Sequence, residues 1–595
     1  MKEYYKNILK QLSKKKLTKY DFIGFDVETY GDDNLFYMGG LFYLTDSGKE
    51  VYKAFYDREE MIEFLLTFKF QGKYIVATNL GFDLSVLFFN TKYWNDLNIL
   101  ERGSNIIYAE YKFKNSDKKG KIKFIDTMNY VPFSVEKLGK IINIEKQEKP
   151  SFLGEIPKTK EEKAYLEFYN SYDCKISCKF MYFLQDGFFN AGGNLKITIA
   201  STSFDIWRRN FQPDMLVKEE FILNDHEVKN FIFKGYYGGR TEVFKKGLFK
   251  DVFYYDINSL YPSVMRLAFP LPQSIRKVDS CSVSYIQNYM GVTECTVFCP
   301  KMNKPFLPFR NEKSKKLLFP CGRFTGTWNN CELQKAVTLG YKIEKIHKQV
   351  IYTKNFFPFK EFVEYFYQKR LDYKKENSPM EFVCKIILNS LYGKFGQKRI
   401  KKSRIIDMNL FTGDYDALIK EIGEDFLIKD NKILVNKEEE FNGKNVYPIL
   451  SSYVTSYARI LMYNYLKHEE VLYTDTDSCI CSAPIFSHSK VLGEMKLEGE
   501  FKLVHIIKPK FYYTYDGEEY DVKIKGLSKA DKKDFEKILN GETVNKMKFS
   551  KMKESIRRGF AINKKMIVPK IMGLTDDKRI WLDNESEPLN IGCEI

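Results

Sequence analysis

Two runs of β-branched and aromatic residues, VFYYD ending at Asp256 and VLYTD ending at Asp475, each close on a carboxylate, and Asp477 follows two positions after the second. Such runs form buried strands, and an unpaired carboxylate at the end of a buried strand is expensive. A fold that accepts all three must neutralise them. Hard oxygen ligands drawn from distant segments, with no His nearby, suit Mg²⁺ or Mn²⁺ and argue against zinc.

The chain, 595 residues with 44% apolar content, is too long for one core and should form several globular domains. Lys and Arg exceed Asp and Glu by 95 to 78, and they cluster in KKK at 14–16, KFKNSDKKGKIK, KRIKKSR and KFSKMKESIRR. That balance fits a polyanionic partner or, equally, a solvated basic surface from an AT-rich genome. With 41 Tyr and 50 Phe, a groove in which bases stack on rings between Lys side chains is possible without emptying the core. The 11 Cys lack zinc-finger spacing and His is scarce at five, so a structural zinc site is not expected. No secretion signal or apolar stretch of about 20 residues is visible, and reduced thiols in a cytoplasm are the simpler reading.

In GFDVET, Asp26 and Glu28 share one face of a strand while Ile23, Phe25 and Val27 face the other way. Asp83 in NLGFDLSVLFF sits at the start of a helix. Tyr169 and Asp173 in YNSYD are four apart on a long helix, hence on one face. Each piece alone is weak: a lone D-x-E on a strand is more often a solvated edge, and a Y-x-x-x-D on a helix more often an ordinary surface pair. Four acids that could meet around two metals, with a Tyr to orient a water, are what metal-assisted phosphodiester hydrolysis requires. In order and spacing the set resembles the three motifs of proofreading 3′ to 5′ exonucleases of the DEDD type, in the variant with Tyr. The resemblance makes Asp26, Glu28, Asp83 and Asp173 metal ligands and Tyr169 the water-orienting group. It also puts Asn79, Phe82 and Thr127 at a single-stranded 3′ end, although Met128 stands where the usual pattern has Leu. A Lys assists hydrolysis in some relatives, and Lys140 and Lys146 both remain open.

Farther along, DINSLYPSVM carries Asp256 at a strand end and opens the next element at Tyr261, Pro262 and Ser263, where backbone N–H groups could hold phosphate. MEFVCKIILNSLYGKFG places Lys385, Asn389 and Tyr392 on one helical stripe, and the breaker ENSP joins it to FKEFVEYFYQKRLDYKK as a helical hairpin. The ordered series D-x-x-S-L-Y-P-S, K-x-x-x-N-S-x-Y-G and Y-x-D-T-D-S, followed by K-P-K-F-Y, resembles motifs A, B and C and the K-x-Y of family B DNA polymerases. By that resemblance Asp256 and Asp477 hold both catalytic metals and Asp475 is a nearby, less essential carboxylate. Tyr261 blocks a ribose 2′-OH, Lys385 contacts the triphosphate, and Asn389 and Tyr392 line the nucleotide site. Lys510 and Tyr512 steady the primer end.

The short length, Y-Y-G-G-R at 236–240 and two extra stretches resemble the protein-primed branch of phages and linear plasmids. The implied fold class is a multidomain α/β protein: an amino-terminal RNase H-like 3′ to 5′ exonuclease domain at 1–195 and a right-hand polymerase. The polymerase divides into palm (196–265 and 447–540), a first terminal-protein-region insert (266–356), fingers (357–397), a second insert for strand displacement and processivity (398–446) and thumb (541–595). Tyr236, Gly238, Gly239 and Arg240 are expected to grip template between the two sites, unless the stretch is a simple type I′ or II′ turn. The implied ligands are Mg²⁺, two per site with Mn²⁺ as substitute, dNTPs, primer-template and single-stranded DNA, and a terminal protein as primer. The chain would act as a monomer in a cytoplasm, that of the host cell if viral, without a membrane. An inert DNA-binding scaffold, a nuclease with a gripping half or a reverse transcriptase fits less well, because every carboxylate of both sets is present.

Overall fold

Phe22, Ile23, Phe25 and Val27 are all buried, so the strand Phe22–Tyr30 must be covered on both faces. It lies in the middle of a seven-stranded mixed sheet ordered Glu50–Phe55, Leu35–Leu44, Phe22–Tyr30, Tyr74–Ala77, Lys121–Asp126, Asn105–Lys112, Leu97–Arg102. One face carries the 31-residue helix Lys160–Asn190, which starts at a capping box between Thr159 and Glu162. Two glycines let that helix come close. A Cβ at Gly24 would meet the Cys174 carbonyl oxygen at 2.0 Å, and one at Gly40 would meet Asn170 Oδ1 at 1.9 Å. The other face is closed by Arg58–Leu65 and Leu80–Phe88.

This computed structural model describes residues 7–592 apart from 103–104, 114–119, 312–313, 398–400, 412–414, 423–425, 430, 439–444, 528, 550–564 and 571–572. Part of KFKNSDKKGKIK, the start of KRIKKSR and all of KFSKMKESIRR after Ser550 onward lie outside the described residues.

A second seven-stranded sheet, antiparallel throughout, runs Thr241–Val243, Val471–Asp475, Ser478–Cys481, Gly247–Ile257, Met495–Lys508, Phe511–Tyr515, Tyr520–Ile524. The hairpin expected at 470–482 supplies its second and third strands, beside the central strand Gly247–Ile257. The expected helical hairpin is Lys360–Lys375 and Met380–Ser390. The stretch between the two sequence-defined halves of the palm folds into a sheet of its own, in the order Ile275–Lys277, Lys342–Tyr352, Met290–Cys299, Cys321–Asn329, Asn590–Ile591. Among the described residues its Pro-rich segment holds only the two-residue strands Phe309–Arg310 and Leu317–Leu318, as Pro content predicts. Within 398–446 the strands Lys401–Asp407, Lys432–Glu438 and Phe426–Lys429 make a small sheet.

The tail is not one unit. Val544–Phe549 pairs with Lys565–Lys570, whereas the hairpin Arg579–Leu582/Glu585–Pro588 returns to the flank of the central sheet, where Arg579 Nη1 meets Glu242 at 3.1 Å and Nη2 donates to the Asn303 carbonyl at 2.7 Å. Among the described residues no helix is long and apolar enough to cross a membrane.

Candidate active sites

In the amino-terminal unit the sheet supplies Asp26 and Glu28 from one strand, and the close helix lays Tyr169, Asn170 and Asp173 across them. Asp83 arrives from Leu80–Phe88, its Oδ1 accepting from the Val27 backbone N–H at 3.3 Å. Burial is the first cause of a raised proton affinity at all four acids. Asp26 is held well above the usual carboxylate range, with the charges of Glu28, Asp83 and Asp173 adding to the effect. Asp83 is likewise raised, and Glu28 is pushed up to about 7. At Asp173 the rise is opposed by Lys146, whose Nζ donates to Oδ2 and lies 4.4 Å from the Tyr169 ring. Asp173 Oδ1 is buried without a partner. Lys140 instead points away, to Glu136 at 2.7 Å, so of the two candidate lysines Lys146 stands at the carboxylates.

Two residues here carried no recognisable signal. Asp126 accepts from the backbone N–H groups of Asn79, Leu80 and Met128 at 3.1, 3.0 and 2.8 Å, and so anchors the amino end of the helix that bears Asp83. Asn170 bridges Asp26 and Glu28. Asn79 itself is exposed in the left-handed conformation, and Phe82 is half-buried next to the buried Asp83. Thr127 differs from an exposed strand-end contact: it is fully buried, its hydroxyl donating to Thr78 at 3.0 Å. Its neighbour Met128 is the exposed residue.

In the second sheet Asp256 pairs in register with Ser478, and the Ile257 N–H donates to the Asp477 carbonyl at 2.8 Å. The tight turn that makes this possible needs Thr476 at φ 73°. Asp256 is pushed up to about 7, by burial first and then by Asp477, with Lys496 and Lys385 relieving it in part. Asp477 is raised by burial, with Asp475 adding. Asp475 differs. It accepts from Thr241 Oγ1 at 2.9 Å and pairs with Lys510 Nζ at 2.9 Å, while Tyr512 packs on Tyr473 beside it with ring centres 5.4 Å apart. Its charge is already compensated.

Lys385 and Asn389 are exposed on the helix Met380–Ser390. That helix stops at Ser390, so Tyr392 is not the third member of a helical stripe; it sits in the 3-10 turn Tyr392–Lys394 and stacks on Tyr261, ring centres 4.7 Å apart at 28°. Arg370, which carries no motif signal, donates to Ser259, two residues before Tyr261, at 3.3 Å.

Residues 236–240 form no turn but an extended loop pinned from behind. Arg459 donates to the carbonyls of Tyr237 and Gly238 at 2.7 and 2.9 Å, and the Thr476 N–H donates to the Arg240 carbonyl at 2.7 Å. Gly239 is pressed against Thr476, where a Cβ would approach Cγ2 to 2.7 Å, whereas Gly238 has open space in front of it. Tyr236 is half-buried against Gly396, whose added Cβ would lie 2.5 Å from its ring. Arg240 differs as well. It is 4% exposed, with Nε on Glu242 at 2.6 Å, Nη1 on the Pro305 carbonyl at 2.7 Å and its plane 4.2 Å above Phe319, so its cation is spent inside the protein.

Among the described residues no three His, Cys, Asp or Glu side chains already close around a metal position; the Asn170 amide and the Lys146 ammonium stand among the amino-terminal acids instead. The donor sets nevertheless fit a hard divalent cation. Both consist of carboxylate oxygens, one with an orphaned buried oxygen at Asp173 and the other with the charge of Asp477 adding to the cost of ionising the buried Asp256.

The sequence model of the family described as DNA polymerase type B, organellar and viral, matches residues 155–476. The chain belongs to that family. Relatives include a probable DNA polymerase of Ascobolus immersus, 26% identical over 549 residues that cover 79% of this chain and 44% of that protein. The DNA-directed DNA polymerase of enterobacteria phage PRD1 is 28% identical over 342 residues, 56% of this chain and 57% of its own. The chain spans about half the length of the curated relatives it matches. A structure of Phi29 DNA polymerase complexed with primer-template DNA and incoming nucleotide substrates superposes with a TM-score of 0.69 over 94% of this chain and 100% of that one, at 16% identity. The two share a fold, the multidomain α/β arrangement of an exonuclease-type unit joined to a right-hand polymerase with inserts that the sequence motifs imply.

Proposed function

We propose that this family B member is a DNA-directed DNA polymerase with a 3′ to 5′ proofreading exonuclease, that each activity has its own carboxylate site, and that it replicates a linear viral or plasmid genome. The observation that carries this is the separation of the acids into two clusters built on two different sheets, Asp256 with Asp477 at the hairpin of one, and Asp26 and Glu28 on the other, joined there by Asp83 and Asp173 from the helices packed against it.

Magnesium ions held by these two sets would neutralise phosphate oxygens and favour the deprotonated nucleophile. The chain's own residues do the rest by positioning. In the polymerase cleft Lys385 meets the triphosphate, Tyr261 and the Tyr392 stacked on it flank the sugar and base, Asn389 lines the same face, and Lys510 and Tyr512 hold the primer end while Lys510 keeps Asp475 occupied. In the exonuclease site Tyr169 orients the attacking water, Lys146 steadies Asp173, and Asn79 with Phe82 receives the strand end. Tyr236 and Gly238 face the template path; Arg240 holds the loop from inside.

Protein-primed initiation and strand displacement are supported by the fold shared with Phi29 DNA polymerase and by the two extra sheets at 266–356 and 398–446, the first for a terminal protein and the second around the template. In a primer-extension gel Asp477→Ala should abolish nucleotide addition and spare primer trimming, and Asp26→Ala with Glu28→Ala should do the reverse, each loss being on the order of 10³-fold or more. Loss of both activities in either variant would defeat the two-site reading. Incubation with labelled dATP, Mg²⁺ and the cognate terminal protein should give a covalent protein–dAMP band if priming uses a protein hydroxyl.

A further inference from the structure

Asn170 is the neutral side chain that binds two of the exonuclease acids at once. It is fully buried, and its Nδ2 donates to Asp26 Oδ2 at 2.9 Å, to Glu28 Oε1 at 3.3 Å and to the Asp26 carbonyl at 3.4 Å. On the far side its Oδ1 accepts from the Tyr52 hydroxyl at 3.0 Å and from Cys174 Sγ at 3.5 Å. Only one amide orientation satisfies this network, because the reverse would aim a carbonyl at two carboxylates. Gly40 completes the socket, since a Cβ there would lie 1.9 Å from Oδ1.

Two carboxylates two residues apart on one strand face repel each other and, left alone, take whatever rotamers separate them. A single NH₂ group shared between them sets both orientations before any cation arrives. We propose that Asn170 is a positioning residue of the exonuclease site: its amide holds Asp26 and Glu28 in one mutual arrangement, and Tyr52 and the absence of a side chain at Gly40 hold the amide. The inference rests on the exonuclease reading of this site and extends it to a residue that the motif spacing leaves unassigned.

The test uses the full chain with Asn170→Ala and, as a gentler probe, Tyr52→Phe. Single-stranded oligonucleotide trimming is followed against Mg²⁺ concentration, and Mn²⁺ affinity is measured by calorimetry in an Asp477→Ala background. Loss of a group that orients metal ligands typically weakens affinity or rate ~10- to ~100-fold. Asn170→Ala should therefore raise half-saturating Mg²⁺ for trimming ~10-fold or more and weaken Mn²⁺ binding by a similar factor, with the KM for the oligonucleotide and the rate of primer extension unchanged. Tyr52→Phe should move the same quantities in the same direction by less. Unchanged metal dependence in a folded Asn170→Ala protein overturns the proposal, and if that variant does not fold, unchanged metal dependence in Tyr52→Phe does so. The exonuclease reading fails by a different result, namely trimming that survives Asp26→Ala with Glu28→Ala.

Discussion

Replacing Gly239 by Ala adds one methyl group at the point where the loop 236–240 backs the turn carrying Asp475 and Asp477. The new carbon would sit 2.7 Å from Thr476 Cγ2, 3.0 Å from Oγ1 and 3.1 Å from Cβ, well inside van der Waals contact. Relief by drawing the loop away is opposed by Arg459 on the Tyr237 and Gly238 carbonyls and by the 2.7 Å bond from the Thr476 N–H to the Arg240 carbonyl. The turn has to give. Thr476 already occupies a left-handed conformation that a β-branched residue tolerates poorly, so the displacement passes to its neighbours Asp475 and Asp477. Overpacking of this kind costs ~1–3 kcal/mol. Taken out of active-site positioning, that is a ~5- to ~150-fold loss of extension rate. Gly238→Ala is the matched control, since nothing lies within 4 Å of its added carbon. Single-turnover nucleotide addition and single-strand trimming, measured on both variants, decide the matter. Gly239→Ala should lose addition and keep trimming, and Gly238→Ala should leave the chemical step intact. A Gly239→Ala enzyme that adds nucleotides at the parental rate would refute the idea that this loop sets the position of the turn.

Much of this architecture could be read from local pattern. The hairpin ending at Asp475, the helices on either side of ENSP and the strand GFDVET all announce themselves by periodicity and breakers, and the ordered acids within them single out both candidate sites. What escaped the reading depends on partners far away in the chain. Arg240 looks like an exposed cation in a glycine loop; it is buried because Glu242 and, 337 positions on, Arg579 complete an internal ion network with it. Asn170 is a spacer in Y-x-x-x-D until the helix closes on Gly40, and Asp126 is an ordinary strand end until Leu80–Phe88 starts above it. Lys146 and Lys140 are equivalent in sequence, and only the direction of the loop before the long helix separates them. The end of the helix at Ser390 escaped for a different reason: apolar spacing continues to Leu391, whereas Tyr392 enters a 3-10 turn and stacks on Tyr261.

Removing the ring in Tyr261→Val takes away the partner of Tyr392 and opens the space expected beside the sugar. Discrimination against ribonucleotides should fall ~10- to ~100-fold in competition assays, and an unchanged preference would remove Tyr261 from that role. Away from either site, Glu219 is 1% exposed, with Oε1 facing the Tyr352 hydroxyl at 3.4 Å and Oε2 without a partner. Burial pushes this carboxyl from 4.5 up to about 8, with the charge of Glu220 adding. Between those values the folded chain keeps a proton that the unfolded chain has lost, so stability falls as pH rises through the window, by about 1.4 kcal/mol per unit at the steepest. Glu219→Gln keeps the hydrogen-bonding shape and cannot ionise. Its thermal midpoint should therefore exceed the parent's by more at pH 8 than at pH 5, and an equal difference at the two values would mean that Glu219 is solvated or compensated in the folded chain after all.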